Sequence, residues 1–203
     1  MSSVNSFAGY IFDYGGVLVG RQAEPDQDHL AALAGIPKER FFELYWKHRL
    51  AYDRGDLTRA EYWQTLAAGA GTSFCERVID DLAETDIRSW MDFDAAMWTW
   101  IAELRRGGKR VAMLSNMPRD LGEALRSRTD RLQAFDHVTL SYQVRSAKPD
   151  APAYEHCLEG LGTRPEETVF FDDSLANVEA AERLGLRAIQ FTNREEALLQ
   201  IKE

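Results

Sequence analysis

The chain has 203 residues, 45% hydrophobic and 28% charged, which is enough for a sizeable buried core and excludes an intrinsically disordered chain. Its formal net charge is −9, with 33 acidic against 24 basic residues, so it lacks the positive footprint that a nucleic-acid backbone demands. No window approaches the ~20 apolar residues of a membrane span, and the two cysteines, Cys75 and Cys157, have no CxxC or metal-ligand spacing.

The N-terminal stretch MSSVNSFAGYIFDYGG has neither a basic start nor a long apolar run. With two well-separated cysteines read as reduced thiols, a cytoplasmic protein is expected. In chain order, the first predicted element is the apolar run YIF at 10–12, a buried strand. The interval 19–94 holds no convincing strand. It carries helical patterns near 27–34, 38–54, 58–68 and 74–85, punctuated by GIP, RGDLT and GAGTS. Pro37 suits the first turn of the second of these helices. Thr58 and Glu61 have the spacing of a capping box at the start of the third.

From residue 95 onward the pattern alternates. A helical pattern at 95–108 ends in glycines, a common stop signal, and precedes the strand RVAML at 110–114. Further helices at 119–132, 151–162 and 174–185 interleave with the strands HVTL (137–140), TVFF (168–171) and RAIQF (187–191). These runs are nearly continuous in hydrophobicity, as expected for parallel strands covered on both faces. The predicted fold is therefore α/β, a doubly wound, Rossmann-like parallel sheet. Its core comprises 1–18 and 95–203, and an all-helical cap, 19–94, is inserted after the first strand.

In such a sheet, ligands bind beyond the carboxyl ends of the strands. Asp13 follows the first strand, and Ser115 and Asn116, in MLSNMP, follow the second. Lys148, in SAKPD, lies on the connection after the third, and Asp172 and Asp173, in FFDDS, follow the fourth. Each piece alone has a plain structural use. An Asp after a strand caps a turn or helix, and a lone lysine is a solvated charge. Their common location changes the reading. Three carboxylates, a lysine and a hydroxyl at one crevice suit a hard cation plus a phosphate, and Mg²⁺ prefers oxygen ligands.

The segments FDYGGVL, LSNMP, AKPD and FFDDSLANVEAA resemble, in order and spacing, the four motifs of the haloacid dehalogenase-like (HAD) superfamily. Within it, the chain is most similar to the phosphatase branch of α-D-glucose-1-phosphate phosphatases and the N-terminal domains of soluble epoxide hydrolases. The resemblance implies a Mg²⁺-dependent phosphatase acting on a small phosphorylated metabolite such as a sugar phosphate. It implies Asp13 as nucleophile, forming an aspartyl-phosphate, and Lys148 as the counter-charge. Asp13, the carbonyl of Gly15, and Asp173 would hold the metal, with Asp172 acting through water. Ser115 (hydroxyl) and Asn116 (backbone N–H) would hold the phosphoryl oxygens.

The chain departs from the pattern at Gly15, where the family carries a second Asp. Glycine keeps a metal-binding carbonyl but removes the general acid and base, worth roughly 10²–10⁴ in rate. The expectation is a slower phosphatase, or one favouring good leaving groups. Glu24, Asp26, Asp28 and His29 follow the first motif and are candidates to replace the acid; as plain structure they are solvated cap residues. Arg145 stands where relatives often carry glycine and reads as a substrate-anion ligand or a surface charge. The aromatic stretches FFELYW and EYW read as cap core, or as a substrate wall. Competing readings are a metal-independent 2-haloacid dehalogenase, which lacks an acidic pair like Asp172-Asp173, and a weak or non-enzymatic HAD-fold binding protein. The expected partner is the small substrate alone, for a monomer or homodimer, with neither nucleic acid nor membrane.

Overall fold

The computed structural model describes residues 7–201. β1 (Gly9–Phe12) is followed by four helices, α1 (Glu24–Ala34), α2 (Lys38–Asp53), α3 (Arg59–Gly69) and α4 (Glu76–Ser89). Then come α5 (Ala95–Arg106), β2 (Arg110–Ser115), α6 (Arg119–Arg128), β3 (His137–Leu140) and α7 (Ser141–Val144). The chain ends with α8 (Ala151–Leu161), β4 (Thr168–Asp172), α9 (Leu175–Arg183), β5 (Arg187–Gln190) and α10 (Arg194–Ile201).

The five strands form one parallel sheet in the order β3-β2-β1-β4-β5. Alternate residues of each strand feed opposite faces. Tyr10, Phe12, Met113 and Phe171 face the layer that holds α5 and α6. Ile11, Ala112, Leu114 and Phe170 face α8 and α9. Burial on both faces is why the strands read as unbroken apolar runs. The strand order reverses between β1 and β4, so their carboxyl ends flank a topological switch point, the crevice where such sheets bind ligands.

Helices α1–α4 pack around a separate cluster that includes Leu30, Phe41, Tyr45, Trp63, Leu66 and Leu82. The capping box forms as the spacing predicts: Thr58 Oγ1 accepts from Glu61 N, and the Glu61 carboxylate accepts from Thr58 N at 2.8 Å. The chain segments leaving and re-entering the sheet layer lie side by side. Val19 makes an antiparallel bridge to Phe93, and Asp94 N donates to Leu18 O at 3.1 Å.

Four elements differ from the sequence reading. α4 runs on to Ser89. The pattern at 119–132 breaks after Arg128, because Thr129 turns extended (φ −143°) and its hydroxyl engages Leu125 O and Arg131 N. α7, with four residues, and α10, with eight, are too short for a helical period to announce itself; of α10 only Ala197 is fully buried. Cys75 is exposed, Cys157 is buried, and both are free thiols. Among the described residues, no helix is long and apolar enough to cross a membrane.

Candidate active site

Asp13 sits one residue beyond β1, where its N–H still donates to Phe171 O at 2.9 Å and extends the ladder into the crevice. Its Oδ1 accepts from Tyr14 N at 2.6 Å and meets Lys148 Nζ at 2.8 Å. Oδ2 has no hydrogen bond among the described residues. Burial pushes this carboxyl up to about 7; Lys148 pulls against that rise and Asp172 adds to it.

Lys148 is no surface charge. Its side chain is 1% exposed, and Nζ also meets Asp172 Oδ2 at 2.6 Å. Burial opposes the ammonium, but the carboxylates of Asp13 and Asp172 outweigh it and hold the Lys148 pKa above its ordinary value. Asn116 positions this lysine: its amide donates to Lys148 O and accepts from Lys148 N, both at 2.8 Å. Sequence reasoning had assigned Asn116 only a backbone N–H. Ser115 is buried beside it at the end of β2.

Asp172 is fully enclosed. Besides Lys148, it accepts from Ser174 N at 2.9 Å and from Asn177 Nδ2 at 3.0 and 3.1 Å. Asp173 is more open, and its Oδ2 meets Arg21 Nη2 at 2.8 Å. The turn after β1 is built around this acid. Gly16 has φ +75°, and a Cβ there would lie 2.5 Å from Asp173 Oδ2. Asp13, Asp172 and Asp173 each offer an oxygen within 4.8 Å of one another. Three carboxylates face two cations, Lys148 and Arg21. That surplus of negative charge, presented as carboxylate oxygens, fits a hard divalent cation.

A small cavity of about 90 Å³ lies over Asp13. Its lining brings Ser115 and Asn116, at the end of β2, together with Trp46, Arg49 and Asp53 of α2 and Trp90 of the returning segment. A larger cleft of about 650 Å³ adjoins it, lined among others by Gly15, Arg21, Lys38, Phe42, Trp46 and Trp90. The stretch FFELYW divides by helix face. Phe41 and Tyr45 are buried in the helical cluster, whereas Phe42 and the 55% exposed Trp46 face the cleft.

Gly15 turns out to have a neighbour. A Cβ at this position would meet Trp90 Cζ3 at 3.2 Å. Sequence reasoning missed Trp90, Arg49 and Asp53. The i, i+4 spacing of the last two was visible, but only the folding of the helical insert over Asp13 gives the pair its place. None of Glu24, Asp26, Asp28 and His29 lines either cavity; Glu24 and Asp28 pair with Lys38 at 3.5 and 2.7 Å. Arg145 donates to Gly55 O at 2.7 Å, away from Asp13, and its φ of 56° explains why glycine suits this position.

The model of the haloacid dehalogenase-like hydrolases matches residues 7–185. The chain belongs to this family. This HAD-like chain is accordingly a hydrolase, and it has phosphatase relatives. It is 28% identical over 199 residues to a sesquiterpene phosphatase of Aspergillus oryzae, covering 98% of this chain and 96% of that protein. It is 32% identical over 155 residues to a drimenol cyclase of Aspergillus calidoustus, covering 74% of this chain but only 28% of that protein. Among solved structures, a HAD-family enzyme of Bacteroides thetaiotaomicron in complex with magnesium and inorganic phosphate superimposes with a TM-score of 0.76. That match has 22% identity and covers 95% of this chain and 98% of the other. The predicted fold class and family are both borne out.

Proposed function

We propose that the chain is a Mg²⁺-dependent phosphatase that cleaves a small phosphorylated metabolite through an aspartyl-phosphate on Asp13. The observation that carries this reading is the sharing of one buried ammonium, Lys148 Nζ, by Asp13 and Asp172, with Asp173 within reach of both. Asp13, the Gly15 carbonyl and Asp173 would hold the ion directly. Asp172, saturated by Lys148, Ser174 and Asn177, would act from behind. The ion supplies charge neutralisation and a template for in-line attack.

The chain's own residues supply the rest. Lys148 and Tyr14 N orient Asp13 through Oδ1, leaving Oδ2 to attack phosphorus. Ser115 Oγ and Asn116 N–H, ahead of the α6 N-terminus, hold the non-reacting phosphoryl oxygens. Helices α1–α4 act as the cap, closing the small cavity and excluding water. The alcohol portion lies in the larger cleft. A sugar phosphate suits its polar side, where Gln22 and Gln27 stand. A terpenyl phosphate suits its aromatic side, where Phe42, Trp46 and Trp90 stand, in keeping with the sesquiterpene phosphatase relative. We place this activity in the cytoplasm.

The test is hydrolysis of aryl, sugar and terpenyl phosphates with Mg²⁺, with excess chelator, and by Asp13→Asn. Chelation and Asp13→Asn are each expected to lower turnover at least ~10³-fold, the scale of losing a nucleophile or its electrostatic support. Equal rates in wild type and Asp13→Asn would refute the reading. Chelator-resistant release of halide from a 2-haloacid would favour the dehalogenase instead.

A further inference from the structure

We propose that Asp53, carried on the last turn of α2, protonates the leaving oxygen and then activates water, in place of the side chain that position 15 lacks. This rests on the phosphatase reading above. The argument begins with direction. In-line displacement puts the leaving oxygen on the side of phosphorus opposite the nucleophile. Asp13 lines the 90 Å³ cavity, together with Ser115 and Asn116 from the end of β2. That space has room for about three waters, or one phosphoryl group. The leaving oxygen must therefore point away from Asp13 into the rest of the lining, to which α2 contributes Trp46, Arg49 and Asp53. Besides Asp13, Asp53 is the only carboxyl group among the described residues that line this cavity.

Asp53 is also held in place. Its Oδ1 accepts from Arg49 Nε at 2.7 Å, and Oδ2 has no hydrogen bond among the described residues. Arg49 is itself anchored to Asp86 Oδ2 at 3.1 Å and to Tyr45. The Asp53 backbone is tied to the phosphate-binding loop. Ser141 Oγ donates to Asp53 O and accepts from Met117 N at 3.0 Å. One serine thus fixes Asp53 relative to the residue that follows Asn116. Burial raises the Asp53 carboxyl, with Arg49 pulling against that rise and Asp86 adding to it. A raised value suits an acid that must keep its proton until the leaving group departs. The acids that follow the first motif lie off both cavities.

The steps balance. Asp13 Oδ2 bonds to phosphorus as the bond to the leaving oxygen breaks, and the Asp53 carboxyl proton passes to that oxygen. The Asp53 carboxylate then takes a proton from water as the water oxygen bonds to phosphorus and the bond to Asp13 breaks. This releases inorganic phosphate and returns both acids to their starting forms.

The experiment measures kcat/KM with Mg²⁺ for wild type, Asp53→Asn and Asp13→Asn. The substrates are substituted phenyl phosphates of graded leaving-group pKa, plus a simple alkyl phosphate. Wild type is expected to depend weakly on the leaving group. Asp53→Asn is expected to lose roughly 10²–10⁴ on the alkyl ester and to stay within about tenfold on dinitrophenyl phosphate, whose leaving group needs no proton. The near-normal rate on that ester also reports that the variant is folded. Two results overturn the assignment: a steep leaving-group dependence already present in wild type, or an equal loss on every substrate in Asp53→Asn. The first is read on wild type alone, whatever the fate of the variant. Activity in Asp13→Asn equal to wild type would instead remove the phosphatase reading and this assignment with it.

Discussion

At position 15 the missing side chain has not left an empty site, because Trp90 stands 3.2 Å from where a Cβ would be. Restoring the family's acid by Gly15→Asp must move that ring and bury a carboxylate beside it. The single substitution is expected to lose about 1–3 kcal/mol in urea unfolding and to leave the alkyl-ester rate no higher. Gly15→Asp combined with Trp90→Ala is expected to relieve the clash and, in an Asp53→Asn background, to raise that rate above the Trp90→Ala, Asp53→Asn parent. A rate gain in Gly15→Asp alone would count against the ring as the obstacle. The contrast also marks what was legible. Asp13, Ser115, Lys148, Asp172 and Asp173 could be found because each follows a strand end, a local signal. Trp90 lies 75 residues from Gly15 along the chain (90 − 15) and meets it only when the insert closes.

The helices of the insert are stabilised in two different ways. Thr58 caps α3 on an exposed surface, whereas Asp86 of α4 is buried and binds Arg49, Tyr45 and Gln22 together. Thr58→Ala is expected to cost about 1 kcal/mol. Asp86→Ala is expected to cost roughly 3 kcal/mol, the lower end for a broken buried pair because Asp53 still holds Arg49. Chemical denaturation of both variants checks the ranking, and equal losses would contradict it. The capping box was readable because its signal spans four adjacent positions. The Asp86 hub was not, since its partners come from two segments distant in the chain, Tyr45 and Arg49 on α2 and Gln22 before α1. Strand positions were readable to within a residue or two because burial on both sheet faces leaves continuous apolar runs. The break at Thr129 depended on a side-chain hydroxyl competing with the helix, which periodicity does not register.

Across the whole molecule, the charge held at the switch point couples folding to pH. The Asp13 carboxyl stands at about 7 in the folded chain, against 3.8 ordinarily, so between these values the native state holds a proton that the unfolded chain has released. By linkage, this contribution is present below about pH 4 and is lost as pH rises towards about 7. Asp53 is shifted in the same direction. In chelator, the stability of wild type relative to Asp13→Asn is therefore expected to fall over that interval. Mg²⁺, which needs the ionised carboxylate, is expected to offset the fall and to bind more tightly as pH rises. Unfolding midpoints across the interval, with chelator and with Mg²⁺, measure both effects; a wild-type advantage that grows with pH in chelator would be inconsistent with the buried acid. The parallel sheet and the strand-end placement of the candidate residues were readable from alternation and strand-end chemistry, but the strand order and the closure of α2 over Asp13 were not. That helix has one further consequence. Phe41 and Tyr45 serve its packing face; Phe42 both packs against that cluster and lines the cleft, whereas Trp46, 55% exposed, faces the cleft with little packing to lose. Selection can therefore retune which alcohol the proposed phosphatase accepts by drift at 46 with little cost to the insert's folding, but each such change also reshapes the cavity over Asp13.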